Sequence, residues 1–309
     1  MANTYGKVSG TFEEVTEIYG KVSGTWEEVD EAYAKVSGVW EEVFIAFKAT
    51  SFVTLSSGSG TFIVPDGANA IHIQAAVGGG GGAMRGADYD KAGGESAGAG
   101  GGSGAYISDK VFTVTTGETI SYSVGSSGAN GTGAYSGSAG GGASTTISGS
   151  TTGSIFTLTG GGGASASGGG VQGPLRSNTA GTAGSDTISG TVVTSGTFKD
   201  SVGVTQNVTS NTSGPTGVFN SSGNGATGGN NGNCGGDNCR INGSTGAASY
   251  AGNVSGGSGG SSSGSGTAGG AGTRGSGGGG GAAQVNTGST QGGSGGTGEI
   301  IYRFLRVNP

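Results

Sequence analysis

The feature that most constrains the fold of this chain is a three-residue spacing of glycine. Between residues 256 and 281, one frame of every third position is glycine at eight of nine places, with Ser263 as the exception. Three residues is the repeat of the polyproline II helix. Glycine along the inward edge would let neighbouring helices approach until their backbone N–H and C=O groups pair. The spacing predicts a packed polyproline II bundle, although a flexible Gly/Ser linker is the alternative for such a composition.

The chain has few large apolar side chains for its length. Of 309 residues, 78 are glycine, and Val, Ile, Phe and Leu together make up 16%. Collagen is excluded because it needs abundant proline and the chain has only 4. Simple disorder is a poor fit because it combines low hydrophobicity with high net charge, and the net charge here is −6.

Composition also argues against several functions. With one histidine and two cysteines the chain has little material for a metal site or a Cys/His nucleophile, so we expect no metal and no cofactor. A pI near 4.8 argues against nucleic-acid binding. No stretch approaches the roughly 20 apolar residues needed to cross a bilayer, and residues 1–6 lack the basic and apolar regions of a secretory signal. We therefore expect no membrane insertion and no signal peptide.

The chain divides into a repeat region, residues 1–50, and a glycine-rich region, residues 51–309. The repeat has a period of 14 residues and the pattern Tyr-(Gly/Ala)-Lys-Val-Ser-Gly-(Thr/Val)-aromatic-Glu-Glu-Val. Its regularly spaced aromatic residues are Tyr5, Phe12, Tyr19, Trp26, Tyr33 and Trp40. Their seven-residue spacing suits a coiled coil, but internal glycines oppose a helix and Ser-Gly favours a two-residue hairpin turn. Hairpins are the favoured prediction. Because three such hairpins would be only marginally stable on their own, we expect them to associate with copies of themselves or with a partner.

Several short strands are predicted between the glycine runs. They are residues 51–55, 61–64, 70–77, 110–115, 119–124, 154–159 and 299–307. The last is the most apolar segment of the C-terminal half, and we expect it to complete the sheet begun at residues 61–77. The fold class predicted is all-β: N-terminal hairpin repeats followed by a β-sandwich-like domain with a glycine-rich polyproline II bundle.

Few residues suggest a chemical site. His72 lies inside a predicted strand and is interpreted as a strand residue that faces solvent or a neighbour. Cys234 and Cys239 could form a local disulfide outside a cell, since a zinc site would need four ligands. The Glu-Glu pairs of the repeats are interpreted as a solvated acidic face. No catalytic constellation emerges, so we expect no enzymatic activity.

The chain resembles a known group of proteins from residue 61 onward. A strand, the Val64-Pro65-Asp66-Gly67 turn, a second strand and a pentaglycine resemble the opening of the glycine-rich domain of bacteriophage tail-fibre and tail-tip adhesins. The resemblance covers residues 57–170 and 298–307, whereas residues 171–297 look like a glycine-rich insertion. The N-terminal units are similar to the Tyr-x-Lys-Val-x-Gly-x-Trp repeats of phage tail proteins.

This resemblance implies a virion tail protein made in the host cytoplasm. It would be a homotrimer that attaches to other tail proteins through residues 1–50 and binds a host surface protein or glycan. Bulky residues in polar loops are the candidate receptor contacts, namely Arg85, Tyr89, Tyr135, Arg176, Phe219, Arg240 and Tyr250. A purely structural virion protein, such as a fibre shaft or capsid decoration, is the alternative. An ice-binding or matrix protein and a glycan-cleaving depolymerase are weaker ones.

Overall fold

The structure of the chain is a computed structural model. The structure describes residues 5–8, 11–14, 18–22, 25–29, 31–36, 39–45, 47–85, 95–133, 136–167, 177–208, 221–223, 233–234, 240–241, 243–248, 255–261, 267–284 and 290–308. For most residues before 47, and for several short strands, the description is of the backbone alone. Within these ranges the chain is all-β.

The N-terminal repeats form three antiparallel hairpins. Their strands are β1 (Tyr5–Val8), β2 (Thr11–Glu14), β3 (Tyr19–Val22), β4 (Thr25–Glu28), β5 (Glu31–Val36) and β6 (Val39–Ile45). In each hairpin the final Val of the first strand pairs with the first residue of the second, leaving Ser-Gly as a two-residue connection. The hairpin prediction is therefore confirmed over the coiled coil. The six regularly spaced aromatic residues lie within these strands, and their side chains are outside the described part.

Two five-stranded antiparallel sheets form the centre of the molecule. The first sheet has the order β21 (Ser221–Gly223), β11 (Tyr106–Thr113), β9 (Ala70–Val77), β25 (Glu299–Leu305) and β7 (Val53–Leu55). The second has the order β18 (Asp186–Ile188), β15 (Gly153–Leu158), β14 (Thr145–Gly149), β12 (Thr119–Ser123) and β8 (Ser59–Ile63).

The two sheets pack face to face around the main apolar core. Alternate residues point inward, as the period of a strand requires, so that Ile71 and Ile73 of β9 face the same core as Ile120 of β12. The rings of Phe62 and Tyr302, from opposite sheets, stack with centroids 4.5 Å apart. Full burial of each such large side chain contributes about 1.5–3 kcal/mol. This core compensates for the scarcity of apolar residues elsewhere.

One sheet assignment from the sequence is wrong. The last strand does pair with β9, but β8 belongs to the opposite sheet. The turn at Pro65–Gly67 carries the chain from one sheet to the other, and the turn at residues 115–118 does the same between β11 and β12. Both β8 and β9 have an apolar face, and crossing between sheets lets those faces meet in the core.

Glu118 holds two of the sandwich turns together. Its carboxylate accepts hydrogen bonds from the backbone N–H groups of Thr115, Thr151 and Thr152 and from the Thr152 hydroxyl. Burial opposes ionisation of this carboxyl, but the bonds from Thr152, Thr115 and Thr151 outweigh it and lower its pKa.

The outer face of the first sheet is covered by a hairpin of β19 (Thr197–Lys199) and β20 (Thr205–Asn207). Phe198 is buried against Leu305 and Val307 in a second apolar cluster. The chain enters from the repeats beside this hairpin: the Ala49 N–H donates to the Lys199 carbonyl at 2.8 Å.

Eleven extended segments lie beyond one end of the sandwich and form the packed array that we call the bundle; apart from Val77 and Ser138 their residues belong to no strand. They are residues 77–85, 97–105, 124–133, 138–144, 159–164, 180–185, 243–248, 255–261, 267–273, 275–282 and 290–298. Seven of them continue directly from or into a strand of the sandwich, as 77–85 does from β9 and 290–298 does into β25. We call the sandwich end of the bundle proximal and the opposite end distal.

Candidate functional site: the distal end of the bundle

The segment at residues 78–84 lies at the centre of the bundle. Its seven successive N–H groups donate in strict rotation to three neighbours, the segments 97–105, 138–144 and 290–298. The carbonyls of residues 79–84 accept, in the same rotation, from three others, the segments 159–164, 124–133 and 275–282. A hydrogen-bond direction that recurs every third residue is the geometry of a three-fold helix. The predicted polyproline II bundle is confirmed here, and the linker alternative is wrong for this segment.

A second segment, residues 275–282, is enclosed in the same way. The carbonyls of residues 275–281 accept in rotation from segments 97–105, 290–298 and 255–261. The N–H groups of residues 277–281 donate to segments 243–248, 77–85 and 267–273. The two central segments run parallel, and Gly278 and Gly281 donate to the carbonyls of Gly81 and Met84. Most neighbouring backbone groups are thereby paired without side chains.

The close approach of the segments explains why glycine is needed. A Cβ added to Gly80, Gly81 or Gly82 would lie less than 3.0 Å from a backbone carbonyl oxygen of another segment. Real Cβ atoms do not make such contacts, and the obstructing atoms are backbone that cannot rotate away. At the edge of the bundle the restriction is absent, because the nearest atom to a Cβ on Gly141 would be 3.5 Å away.

One buried threonine joins the bundle to the sandwich. The hydroxyl of Thr145, at the start of β14, donates to the Val77 carbonyl at 2.8 Å and accepts from the Gly125 N–H at 2.9 Å. Thr145 has no solvent exposure, so these bonds satisfy groups that water cannot reach. This fixes the direction in which two bundle segments leave their strands.

The distal part of the bundle has its own small apolar cluster. Met84 is fully buried and packs with Ala99, Ala139, Ala164 and Ala166. The burial of Met84 in this cluster was not predicted from the sequence. The available signal was the position of Met84, which is the one methionine of the glycine-rich region and directly follows the glycine run and Ala83.

Short ladders surround this end. They pair β10 (Glu95–Ser96) with β22 (Asn233–Cys234), β23 (Arg240–Ile241) with β24 (Ala283–Gln284), and β16 (Ser165–Ser167) with both β13 (Gly137–Ser138) and β17 (Ser177–Thr179). Most of these strands directly precede or follow a bundle segment, so they tie the distal ends together laterally.

Two of the seven candidate receptor contacts lie in the described part of the chain, and both are at this distal end. Arg85 is the half-buried last residue of segment 77–85, and the backbone of Arg240 lies in β23. Tyr89, Tyr135 and Arg176 lie outside the described residues. The residues that flank them, 85 and 95, 133 and 136, and 167 and 177, are at distal ends of bundle segments.

The other two candidates are flanked by residues at the sandwich end. Phe219 and Tyr250 themselves lie outside the described residues. Val208 packs in the cluster over the first sheet, and Ser221 pairs with Ser108 of β11. Residues 248 and 255 lie at the level of Ser276, near the proximal end. Cys234 is in β22 opposite Glu95, and Cys239 is outside the described part, so the disulfide stays a prediction.

A polar cluster lies on the outer face of the first sheet, far from the distal end. The Arg303 Nε donates to His72 Nδ1 at 3.2 Å, so the His72 Nε2 carries the hydrogen and donates to Asp109 Oδ1 at 3.3 Å. The Arg303 guanidinium carbon lies 4.5 Å from the centre of the Phe52 ring and 5.3 Å from that of Phe198. Burial lowers the pKa of Arg303, and the charges of Asp200 and Asp109 partly oppose this. The interpretation of His72 as a strand residue that faces a neighbour is confirmed.

The described part of the chain contains neither a candidate metal-binding cluster nor a membrane-spanning helix. In this part of the chain, no group of three or more His, Cys, Asp or Glu side chains is placed to hold a metal ion. No helix with the length and apolarity to cross a lipid bilayer occurs among the same residues.

A sandwich whose strands continue into a hydrogen-bonded glycine bundle defines a class of glycine-rich β-protein. The glycine-rich domain family matches residues 54–305, which is most of the chain, and the chain belongs to this family. The match begins after the N-terminal repeats. No curated protein gives a significant match to the chain.

Proposed function

We propose that this protein is a bacteriophage tail adhesin. The distal end of the bundle would bind a host surface protein or glycan, and residues 1–50 would attach the protein to other tail components and form a homotrimer. The protein would reside in the virion tail and act by binding, without catalysis.

The bundle carries this proposal. Its segments are fixed to the sandwich at one end, and each central segment is hydrogen-bonded on all sides. Hydrogen bonds from each central segment to six surrounding segments make a stiff support, because a central segment cannot move without breaking bonds to several others. At the other end the chain leaves and re-enters the bundle repeatedly, next to Arg85 and the strand that holds Arg240. A rigid support below varied connections suits recognition, since binding residues are often on loops positioned by a rigid scaffold.

The test is saturable binding of fluorescently labelled full-length protein to a panel of bacterial strains, with phage adsorption competed in parallel. A Tyr89→Ala/Tyr135→Ala variant should weaken binding. A Phe219→Ala/Tyr250→Ala variant is the matched control, because the residues that flank its sites lie at the sandwich end. Each variant removes two aromatic rings, so a difference in cell binding between them shows that the position of the rings matters.

If the folded protein binds none of the strains and blocks no phage adsorption, receptor binding is refuted. The purely structural virion protein is then favoured. Deletion of residues 1–46 separates the two roles. The truncated protein should still bind cells but fail to enter virions. Release of reducing ends from host glycans would contradict the non-catalytic proposal.

A further inference from the structure

Arg303 presents an unused hydrogen-bonding edge on the outer face of the first sheet. Its Nε is fixed by His72, and the two rings of Phe52 and Phe198 flank its guanidinium plane. Within the described part of the chain, its two terminal nitrogens donate no hydrogen bond and form no ion pair within 4.0 Å. Arginine binds carboxylates through this fork with two parallel bonds.

The nearby acids do not fill this role. Asp200 Oδ1 accepts from the backbone N–H groups of Val202 and Val204, and its Oδ2 accepts from the Gln206 amide. Asp109 accepts from His72. The negative charges of Asp200 and Asp109 stabilise the charged form of Arg303. They offset only part of the effect of burial, so that the pKa of Arg303 is still lowered. A carboxylate bound at the free edge would supply the missing partner.

The repeat region that precedes this site along the chain is acidic. Residues 1–50 hold nine acidic residues and four lysines, and six of the acids are the paired glutamates of the three hairpins. The chain passes from the repeats to the site within a few residues: Ala49 bonds to Lys199, and the ring of Phe52 lies against Arg303. Since Arg303 forms no ion pair with the described residues of its own chain, the acidic hairpins of a second copy are the source that fits its charge.

We propose that Arg303 binds a carboxylate from a Glu-Glu pair in the repeat hairpins of a second copy of this chain. This rests on the proposed role of residues 1–50 in oligomerisation and names the surface that receives them. The contact links the repeat of one protomer to the sandwich of its partner, through Glu13/Glu14, Glu27/Glu28 or Glu41/Glu42.

The experiment is sedimentation velocity of the full chain over a concentration series at low and high salt. Arg303→Lys keeps the charge but removes the fork, and Arg303→Gln removes both. Either change should weaken self-association about tenfold or more. Arg274→Lys is the matched control, because Arg274 is 63% exposed and pairs with Glu299 at 3.6 Å. Thermal unfolding of each variant checks that the sandwich is intact.

A second arm replaces all six paired glutamates by glutamine. The same loss is expected, and combining it with Arg303→Gln should cause no further loss, because both changes remove one interaction. Additive losses, unchanged association of Arg303→Gln, or a wild-type protein that stays monomeric would overturn the proposal. So would saturable binding of glucuronate at Arg303 that leaves association unchanged, since the carboxylate would then come from a glycan.

The readouts keep this inference separate from the adhesin proposal. Loss of self-association with retained cell binding per molecule would support the Arg303 contact and leave receptor recognition standing. If the wild-type protein self-associates, the Arg303 variants lose this association and the wild-type protein binds no cells, the Arg303 contact is supported and the adhesin proposal is refuted.

Discussion

Replacing Gly81 by alanine should strongly destabilise the bundle. The new Cβ would lie less than 3.0 Å from the carbonyl oxygen of Gly162. Gly81 cannot shift freely, because its N–H donates to Gly102 at 2.8 Å and its carbonyl accepts from Gly278 at 3.0 Å. Overpacking of this kind costs about 1–3 kcal/mol, and weakening these two hydrogen bonds adds about 1 kcal/mol each.

Alanine also lowers the conformational entropy of the unfolded chain, which stabilises the folded protein by about 0.4–1 kcal/mol. The expected net loss is therefore about 2–4.5 kcal/mol. For a domain of this size that lowers the melting temperature by roughly 5–15 °C. The matched control is Gly141→Ala, where the nearest atom would be 3.5 Å from the Cβ, an ordinary contact. This variant should be neutral or more stable by up to about 1 kcal/mol.

The assay is urea and thermal unfolding of both variants, followed by circular dichroism and calorimetry. Equal midpoints for Gly81→Ala and Gly141→Ala would refute the reasoning, because the two differ only in how closely another backbone approaches. A loss in both would indicate that glycine is needed at position 141 for a reason other than close packing.

Three further predictions concern buried groups outside the glycine lattice. Glu118→Gln should destabilise the sandwich by about 1–3 kcal/mol at pH 7. Because the folded pKa of Glu118 is lowered, its contribution is complete above the unfolded value of 4.5 and is lost as pH falls through the folded pKa; the difference from wild type in urea midpoints should thus shrink towards pH 3. Thr145→Val should lower the free energy of unfolding by about 1–3 kcal/mol, because two buried backbone groups lose their partner. The control Thr146→Val, on the outer face, should lower it by under about 0.5 kcal/mol. Equal urea midpoints for the two variants would contradict the role of Thr145 in joining the bundle to the sandwich. Met84→Ala should cost about 2–5 kcal/mol and Met84→Leu under about 1.5 kcal/mol, and calorimetry showing the reverse order would contradict close packing at the distal cluster.

The parts of the fold that depend on local periodicity could be predicted from the sequence. The period of three in glycine indicates a three-fold helix, and the Ser-Gly spacing indicates a two-residue hairpin turn. The alternating segments at residues 70–77 and 299–307 correspond to β9 and β25. Each of these signals lies within a few residues, where side-chain identity and backbone geometry are directly linked.

The lateral arrangement of the bundle could not be predicted, because its segments are chemically almost identical. No feature of the local sequence indicates that residues 78–84 are central in the bundle or that Gly141 lies at its edge. Strand β14 was missed since Ile147 is its one large apolar residue. The candidate contacts were chosen as bulky residues in polar loops. Assigning the residues that flank Tyr89 and Tyr250 to opposite ends of the bundle required the direction of each segment, which only the assembled fold provides.

The topology of the bundle limits how such a chain can change in length. Segments 243–248 and 255–261, and likewise 267–273 and 275–282, run towards the sandwich and back again. Each pair begins and ends at the distal side, so a further pair could be added at the edge of the bundle without moving any strand of the sandwich. The bundle can therefore widen by whole out-and-back units, each of which adds a distal connection while the sandwich stays unchanged.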